Sequence, residues 1–190
     1  MRSKKQLRAA YRESRQQLSV KEIEEASISI ANRIINLDVW KHSNYHIFLP
    51  ITALHEINTT YLLQVLQGRD KNVILSRSNF TDFTLLHYLL TDQTRIVINS
   101  HGIPEPELDS IEFNIDLIDV VFVPLLCADL SGNRLGYGKG FYDKFLASCR
   151  DDVIKIGLCY FPPISSIPEI ATHDVVMDLL VTPDQVFQFN

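Results

Sequence analysis

Between Asn133 and Asp143 the chain reads Asn-Arg-Leu-Gly-Tyr-Gly-Lys-Gly-Phe-Tyr-Asp. The residue types in that stretch suit an anionic ligand. Gly136, Gly138 and Gly140 alternate, so the backbone can approach a ligand without Cβ collisions and can reach positive φ. Arg134 offers a planar fork of donors that matches a phosphate, and Lys139 offers a mobile point charge. Asp143 alone would repel phosphate. Beside phosphates it suits Mg²⁺, which takes one or two carboxylates together with phosphate oxygens. The plainer reading is a glycine-rich turn whose Asp143 favours the start of a helix electrostatically.

The spacing excludes two common phosphate loops. A Walker A loop needs a hydroxyl after its lysine, and Gly140 follows Lys139. The dinucleotide fingerprint needs its third glycine one place later, where Phe141 stands. What remains is Gly-x-Gly-x-Gly between an arginine and an aspartate.

The flanking segments must position this loop. Before it, Ile118 to Leu126 is nearly all apolar and reads as a central strand buried on both faces. After it, Phe141 to Cys149 reads as a short helix. A strand, a glycine-dense turn and a helix start let backbone N–H groups converge on an anion. At the other end of the chain, Ser3 to Gln17 reads as a helix with Ser3 as N-cap. Residues 2 to 15 carry Arg2, Lys4, Lys5, Arg8, Arg12 and Arg15 against the single acid Glu13. Lys4 and Arg8, four apart, share a helix face. The run serves either as a solvated charged face or as a cationic helix lying over an anionic ligand.

The rest of the chain alternates helix and strand. Ser19-Val20-Lys21-Glu22 is a capping box that starts a second helix, running to about Asn36. Tyr45 to Pro50 reads as a first strand, and the following loop carries His55 and Glu56. In open α/β sheets ligands gather at such strand ends. Thr59 to Leu66 reads as a helix and Asn72 to Ser76 as a strand. Phe80 to Leu90 and Arg95 to Asn99 suggest antiparallel strands or a hairpin edge. His101 to Leu108, with Pro104 and Pro106, reads as an extended loop. Ile154 to Tyr160 and Asp174 to Val181 read as strands, with a turn or short helix at Ile167 to Ile170. The expected fold is α/β, a mainly parallel central sheet flanked by helices with some antiparallel edge strands. A single domain over residues 1–190 is expected.

Composition bounds the function classes. The 190 residues are 46% hydrophobic and 22% charged, ordinary for a globular chain with a real core. A net charge of −5 gives no global footprint for nucleic acid. No apolar run reaches membrane-span length, and no apolar segment suggests a secretory signal. Cys127, Cys149 and Cys159 lack CxxC spacing and are odd in number, which fits a reducing compartment rather than zinc or disulfides. A cytoplasmic monomer acting on small molecules, without nucleic-acid or membrane partners, is the expectation.

The stretch Asn133 to Asp143 resembles the signature of the 5-formyltetrahydrofolate cyclo-ligase family, also called 5,10-methenyltetrahydrofolate synthetase. Lys4-Lys5-Gln6-Leu7-Arg8, Ile47-Phe48-Leu49 with Glu56-Ile57, Gly102-Ile103-Pro104-Glu105-Pro106 and His173-Asp174 are similar to further family segments, in the same order. The resemblance implies that ATP and 5-formyltetrahydrofolate give 5,10-methenyltetrahydrofolate, ADP and phosphate, with Mg²⁺ as cofactor. It implies ATP contacts at Lys4, Lys5, Gln6, Leu7 and Arg8 and along Arg134, Leu135, Gly136, Tyr137, Gly138, Lys139, Gly140, Phe141 and Tyr142. It implies folate contacts at Leu49 and Glu56 and along Tyr137, Gly138, Lys139, Gly140 and Phe141. Arg134, Lys139 and Tyr142 would be catalytic, and Asp143 and Asp174 would hold the metal. Two alternatives stay open: a noncatalytic nucleotide- or folate-binding member of the same fold, and a phosphoryl-transfer enzyme with another substrate.

Overall fold

A computed structural model describes residues 2–172 and 174–189. His173 of the His173-Asp174 pair therefore lies outside the described residues. Two capping boxes open the first helices. The Ser3 hydroxyl accepts from the Gln6 N–H (3.3 Å) while Gln6 Oε1 accepts from the Ser3 N–H (2.9 Å), starting α1 (Lys4–Gln16). Ser19 and Glu22 repeat the exchange at α2 (Val20–Ile35). Each box satisfies helix N–H groups that have no intrahelical partner.

The remaining elements, in chain order, are β1 (Asn44–His46), α3 (Thr60–Gly68), β2 (Asn72–Asn79), β3 (Thr84–Leu89), β4 (Ile96–Ile98), β5 (Pro104–Pro106) and β6 (Val120–Pro124). Then come β7 (Cys127–Ala128), β8 (Arg134–Leu135), α4 (Phe141–Ser148), β9 (Ile154–Leu158), β10 (Leu179–Val181) and β11 (Val186–Gln188). Seven strands form one sheet in the order β11-β10-β9-β6-β1-β2-β3. The inner pairs are parallel, while β3 and β11 run antiparallel at the two edges. This is the α/β architecture that the alternation of helix and strand implies.

Alternation along β6 divides the core. Val120 and Phe122 pack with Ile30 and Ile34 of α2 and Leu62 and Leu66 of α3; Val121 and Val123 pack with Phe145 and Leu146 of α4 on the other face. A third, small cluster joins Leu7 of α1 to Cys127, Leu135 and Ile167, which docks α1 beside the glycine loop.

Several expected boundaries move. The first strand is regular only to His46. The Ile47 N–H still reaches the Ile74 carbonyl (3.0 Å), but the Phe48 carbonyl is taken by the Thr59 hydroxyl (2.6 Å) and the chain leaves the ladder. The apolar run ends as a strand at Pro124, and Cys127–Ala128 instead pairs with Arg134–Leu135 in a small hairpin. The segment His101 to Leu108 is not wholly a loop, because Pro104–Pro106 pairs with Ile96–Ile98. The final strand begins at Leu179, not Asp174, and β11 follows it as an edge that the apolar pattern did not announce.

The chain leaves β1 for β2 on one side and returns to β6 on the other. The sheet's crossover point therefore lies between β1 and β6. In open α/β sheets that point is where loops separate and leave a crevice at the strands' carboxyl ends.

Candidate active site

A cavity of about 320 Å³ opens at this crevice. One wall is apolar and includes Phe48, Leu49, Leu75, Phe80, Leu85 and Ile103. The other carries the charge, with Lys4 and Arg8 from α1, Arg134 and Lys139 from the glycine loop, and Glu56, Asp143 and Asp174 as acids. The two ends of the sequence's basic pattern, 126 residues apart between Arg8 and Arg134, thus meet in one cleft.

The glycine loop is fixed from below by Asp129, which is 2% exposed. Its carboxylate accepts from the N–H groups of Ser131, Asn133 and Ile167 and from the Asn133 side-chain amide, at 2.9–3.1 Å. These bonds close the β7–β8 turn and set Arg134 at its exit. Arg134 then donates to Asp143 Oδ1 (2.5 Å) and to the Val175 carbonyl. Burial pushes the Arg134 guanidinium pKa down, while the charges of Asp143 and Asp174 hold it up. Gly138 and Gly140 adopt φ of +89° and +79°, so the loop turns through the left-handed region at both.

Helix α1 is bonded onto this loop. Arg8 Nε donates to the Gly136 carbonyl (3.0 Å), and Arg12 donates to the Tyr137 carbonyl (3.4 Å). Lys4 Nζ pairs with Asp174 Oδ2 at 2.9 Å. Lys4, Arg8, Arg12 and Arg15 recur at helical spacing, which brings one stripe of α1 to the cleft. Of the neighbouring positions implied as ATP contacts, Lys5, Gln6 and Leu7 do not line the cavity. Gln6 is engaged in the capping box, Leu7 is buried in the small core cluster, and Lys5 is exposed. Helical periodicity accounts for Lys5 and Gln6, which lie about 100° and 200° around the helix from Lys4; Leu7, three along, is on the Lys4 side but packs into the small core cluster.

Leu49, Glu56 and the whole run Arg134 to Asp143 line the cavity, as does Asp174. Glu56 is 6% exposed. Burial raises its pKa, against hydrogen bonds from the Ile51 N–H (2.8 Å) and the Tyr137 hydroxyl (2.5 Å) and against the charge of Arg15. Tyr142 has its phenol pKa raised by burial and by the Glu56 charge. It is therefore a neutral hydrogen-bonding group at pH 7 and not a phenolate base.

The two acids implied as metal ligands each face a cation, Asp143 facing Arg134 and Asp174 facing Lys4. Among the described residues no cluster of three or more metal-ligating side chains exists. Their donor set still fits Mg²⁺, because one or two carboxylates suffice where phosphate oxygens complete the shell.

Three features of the site escaped the sequence reading. Arg15 is buried beneath Tyr137 although it sits in a run of exposed-looking charges. Phe80 stacks on His101 with ring centroids 3.8 Å apart, at the cavity wall. Ser76 and Ser78 of β2 also line the cavity. The helical stripe through Lys4 and Arg8 was the available signal for Arg15; nothing local signals a stack between residues that distant in sequence.

The fold and cleft together define an α/β protein with a charged cavity at the sheet crossover. The model of the 5-formyltetrahydrofolate cyclo-ligase family matches residues 1–183, and the chain belongs to that family, a family of ligases. It is 29% identical to the probable 5-formyltetrahydrofolate cyclo-ligase of Schizosaccharomyces pombe, covering 97% of both chains. It is 32% identical to the 5-formyltetrahydrofolate cyclo-ligase of Haemophilus influenzae, covering 94% of this chain and 97% of the relative. The structure superposes on that of Aquifex aeolicus 5,10-methenyltetrahydrofolate synthetase with a TM-score of 0.83 at 27% identity, covering 98% of this chain and 93% of the other.

Proposed function

We propose that this protein converts 5-formyltetrahydrofolate to 5,10-methenyltetrahydrofolate using ATP and Mg²⁺, releasing ADP and phosphate. The observation that carries the reading is the convergence of Lys4, Arg8, Arg134 and Lys139 with Glu56 in one cleft, in a chain of this family. The formyl oxygen attacks the γ-phosphorus of ATP and ADP leaves, giving a formyl group phosphorylated on oxygen, with an activated carbon. N10 of the folate attacks that carbon, the ring closes, phosphate leaves with the former formyl oxygen, and the N10 proton is lost. Both steps need in-line positioning and neutralised phosphate charge more than acid–base groups.

In this reading Lys4 and Arg8 hold phosphates from above, and the Gly136 to Gly140 backbone holds them from below. Arg134 and Lys139 neutralise charge on the transferring phosphoryl, and Tyr142 serves as a neutral hydrogen-bonding group. Asp143, with Asp174, would hold Mg²⁺, which when bound would supply positive charge to neutralise phosphate. Glu56 and Leu49 meet the pterin, the carboxylate accepting from its amide and amino groups. The protein is taken as a cytoplasmic monomer, one domain over residues 1–190; its three free thiols accord with a reducing compartment.

The test is to mix protein, Mg-ATP and 5-formyltetrahydrofolate and follow the methenyl chromophore in the near ultraviolet. Absorbance should grow only with all components and stop on chelation of the metal. Lys139→Ala should lower kcat/KM by about 10²–10³-fold, the range for removing a transition-state charge donor. Wild-type kcat/KM in Lys139→Ala would remove that role. ADP release on another substrate without the chromophore would replace the substrate assignment, and neither signal would make the protein a binding module.

A further inference from the structure

Arg15 lies at the far end of α1 from the phosphate-facing residues, yet it is 4% exposed. Its Nη2 donates to the Leu125 carbonyl and its Nη1 to the Tyr137 hydroxyl, both at 2.7 Å. Its guanidinium sits 5.9 Å from the Tyr137 ring centroid and 5.7 Å from that of Tyr160. Its Nε is buried without a partner. A buried guanidinium left partly unsatisfied is poor value as a stability device, since desolvation offsets most of its attraction. Its position makes sense for what it imposes on Tyr137.

A guanidinium can only donate. Because Arg15 donates to the Tyr137 oxygen, the single phenolic proton is left for another acceptor, and Glu56 Oε1 takes it at 2.5 Å. The other carboxylate oxygen accepts from the Ile51 N–H. Donors on opposite sides therefore fix the plane of the carboxylate, and Glu56 lines the cavity in that orientation. We infer that Arg15 is a positioning residue, which acts through the Tyr137 hydroxyl to aim the Glu56 carboxylate into the cleft. The part of this inference that concerns folate rests on the function proposed above.

The titratable and charged groups around Glu56 come from four further segments. Arg15 lies on α1, Tyr137 and Tyr142 on the loop and the start of α4, and Tyr160 just after β9. Among them Arg15 is the cation, and its charge lowers the Glu56 pKa against the burial that raises it. Loss of Arg15 should therefore let Glu56 hold its proton to higher pH. The tyrosines, whose pKa values burial raises, stay neutral over that range.

The experiment compares wild type, Arg15→Met, Tyr137→Phe and the double variant, with two readouts. The first is the titration of the Glu56 carboxyl by ¹³C NMR, assigned with Glu56→Gln. Both single variants should move that titration to higher pH. The second is steady-state kinetics. KM for 5-formyltetrahydrofolate should rise about tenfold or more, as for a lost charge-assisted hydrogen bond, and in Arg15→Met KM for ATP should stay nearly unchanged. The acid limb of kcat/KM should shift to higher pH with the titration. Tyr137→Phe breaks the same link without emptying the Arg15 site, so it serves if Arg15→Met does not fold. An unmoved Glu56 titration in the variant that folds would overturn the inference. So would additive effects of the two substitutions on KM for 5-formyltetrahydrofolate, the mark of residues acting independently. If wild type makes no methenyl product, the proposed function fails, and the NMR titration still decides the role of Arg15.

Discussion

The three alternating glycines are not equivalent, and substituting each with alanine should separate what the loop needs from what it tolerates. At Gly136 φ is not positive and a Cβ would have no heavy atom within 4 Å. At Gly140 the space is equally open, but φ is +79°. At Gly138 φ is +89°, and a Cβ would lie 3.0 Å from Arg8 Cζ and 3.1 Å from Arg8 Nε. Gly136→Ala should therefore leave stability within about 0.5 kcal/mol of wild type, as for an unstrained surface change. Gly140→Ala should cost about 1–2 kcal/mol, the penalty for an L-residue in left-handed backbone. Gly138→Ala should cost that and up to about 1 kcal/mol more, because Arg8 must give way at the close approach, which strains its bond to the Gly136 carbonyl. In a chain of this size 1 kcal/mol corresponds to about 2–4 °C in Tm. The assay is urea unfolding of the three variants beside wild type, followed by KM for ATP. Only Gly138→Ala displaces Arg8, so its KM for ATP should rise more than that of Gly140→Ala. If Gly136→Ala proved as destabilising as Gly138→Ala, the reasoning from φ and clearance would be wrong.

Three further outcomes follow from the same geometry. Asp129→Ala leaves the N–H groups of Ser131, Asn133 and Ile167, the last of them buried, without their acceptor, so it should cost about 2 kcal/mol or more by chemical denaturation; an unchanged midpoint would mean the turn does not depend on it. Arg134→Lys cannot keep the bonds to Asp143 and the Val175 carbonyl with one ammonium while facing the cleft, and kcat/KM should fall about 100-fold, read by the methenyl chromophore. Burial holds the His46 imidazole well below its usual pKa and that of His87 at about 4, so the folded protein refuses protons that the unfolded chain binds below about pH 6.5. Stability from these neutral rings is present above that pH and is lost as pH falls toward the folded values. The slope of unfolding free energy against pH between 6 and 5 should therefore flatten in His87→Leu, by up to about 1.4 kcal/mol per pH unit; parallel slopes in urea titrations would refute the burial account.

Local chemistry made much of this protein legible from residues alone. Ser3 and Ser19 begin helices because an oxygen at that place caps N–H groups, a property of four consecutive residues. The run before Pro124 is a central strand because both of its faces are apolar. The glycine spacing excluded two common phosphate loops and left an anion cradle, and helical period alone put Lys4 and Arg8 on one face. What sequence could not supply was the partner of each group. Asp143 and Asp174 looked like open metal ligands until Arg134 and Lys4 were found beside them. Gln6 and Leu7, implied as ATP contacts by resemblance, are held by the helix in its cap and in the core. Arg15 counted as one more surface charge, yet it is sealed beneath a tyrosine 122 residues away and bonded toward Glu56 through it. Caps, strands and turns depend on neighbours a few residues off, so composition and period reveal them. Charge pairing, proton direction and burial depend on which elements the sheet crossover brings together, and only the folded chain decides that.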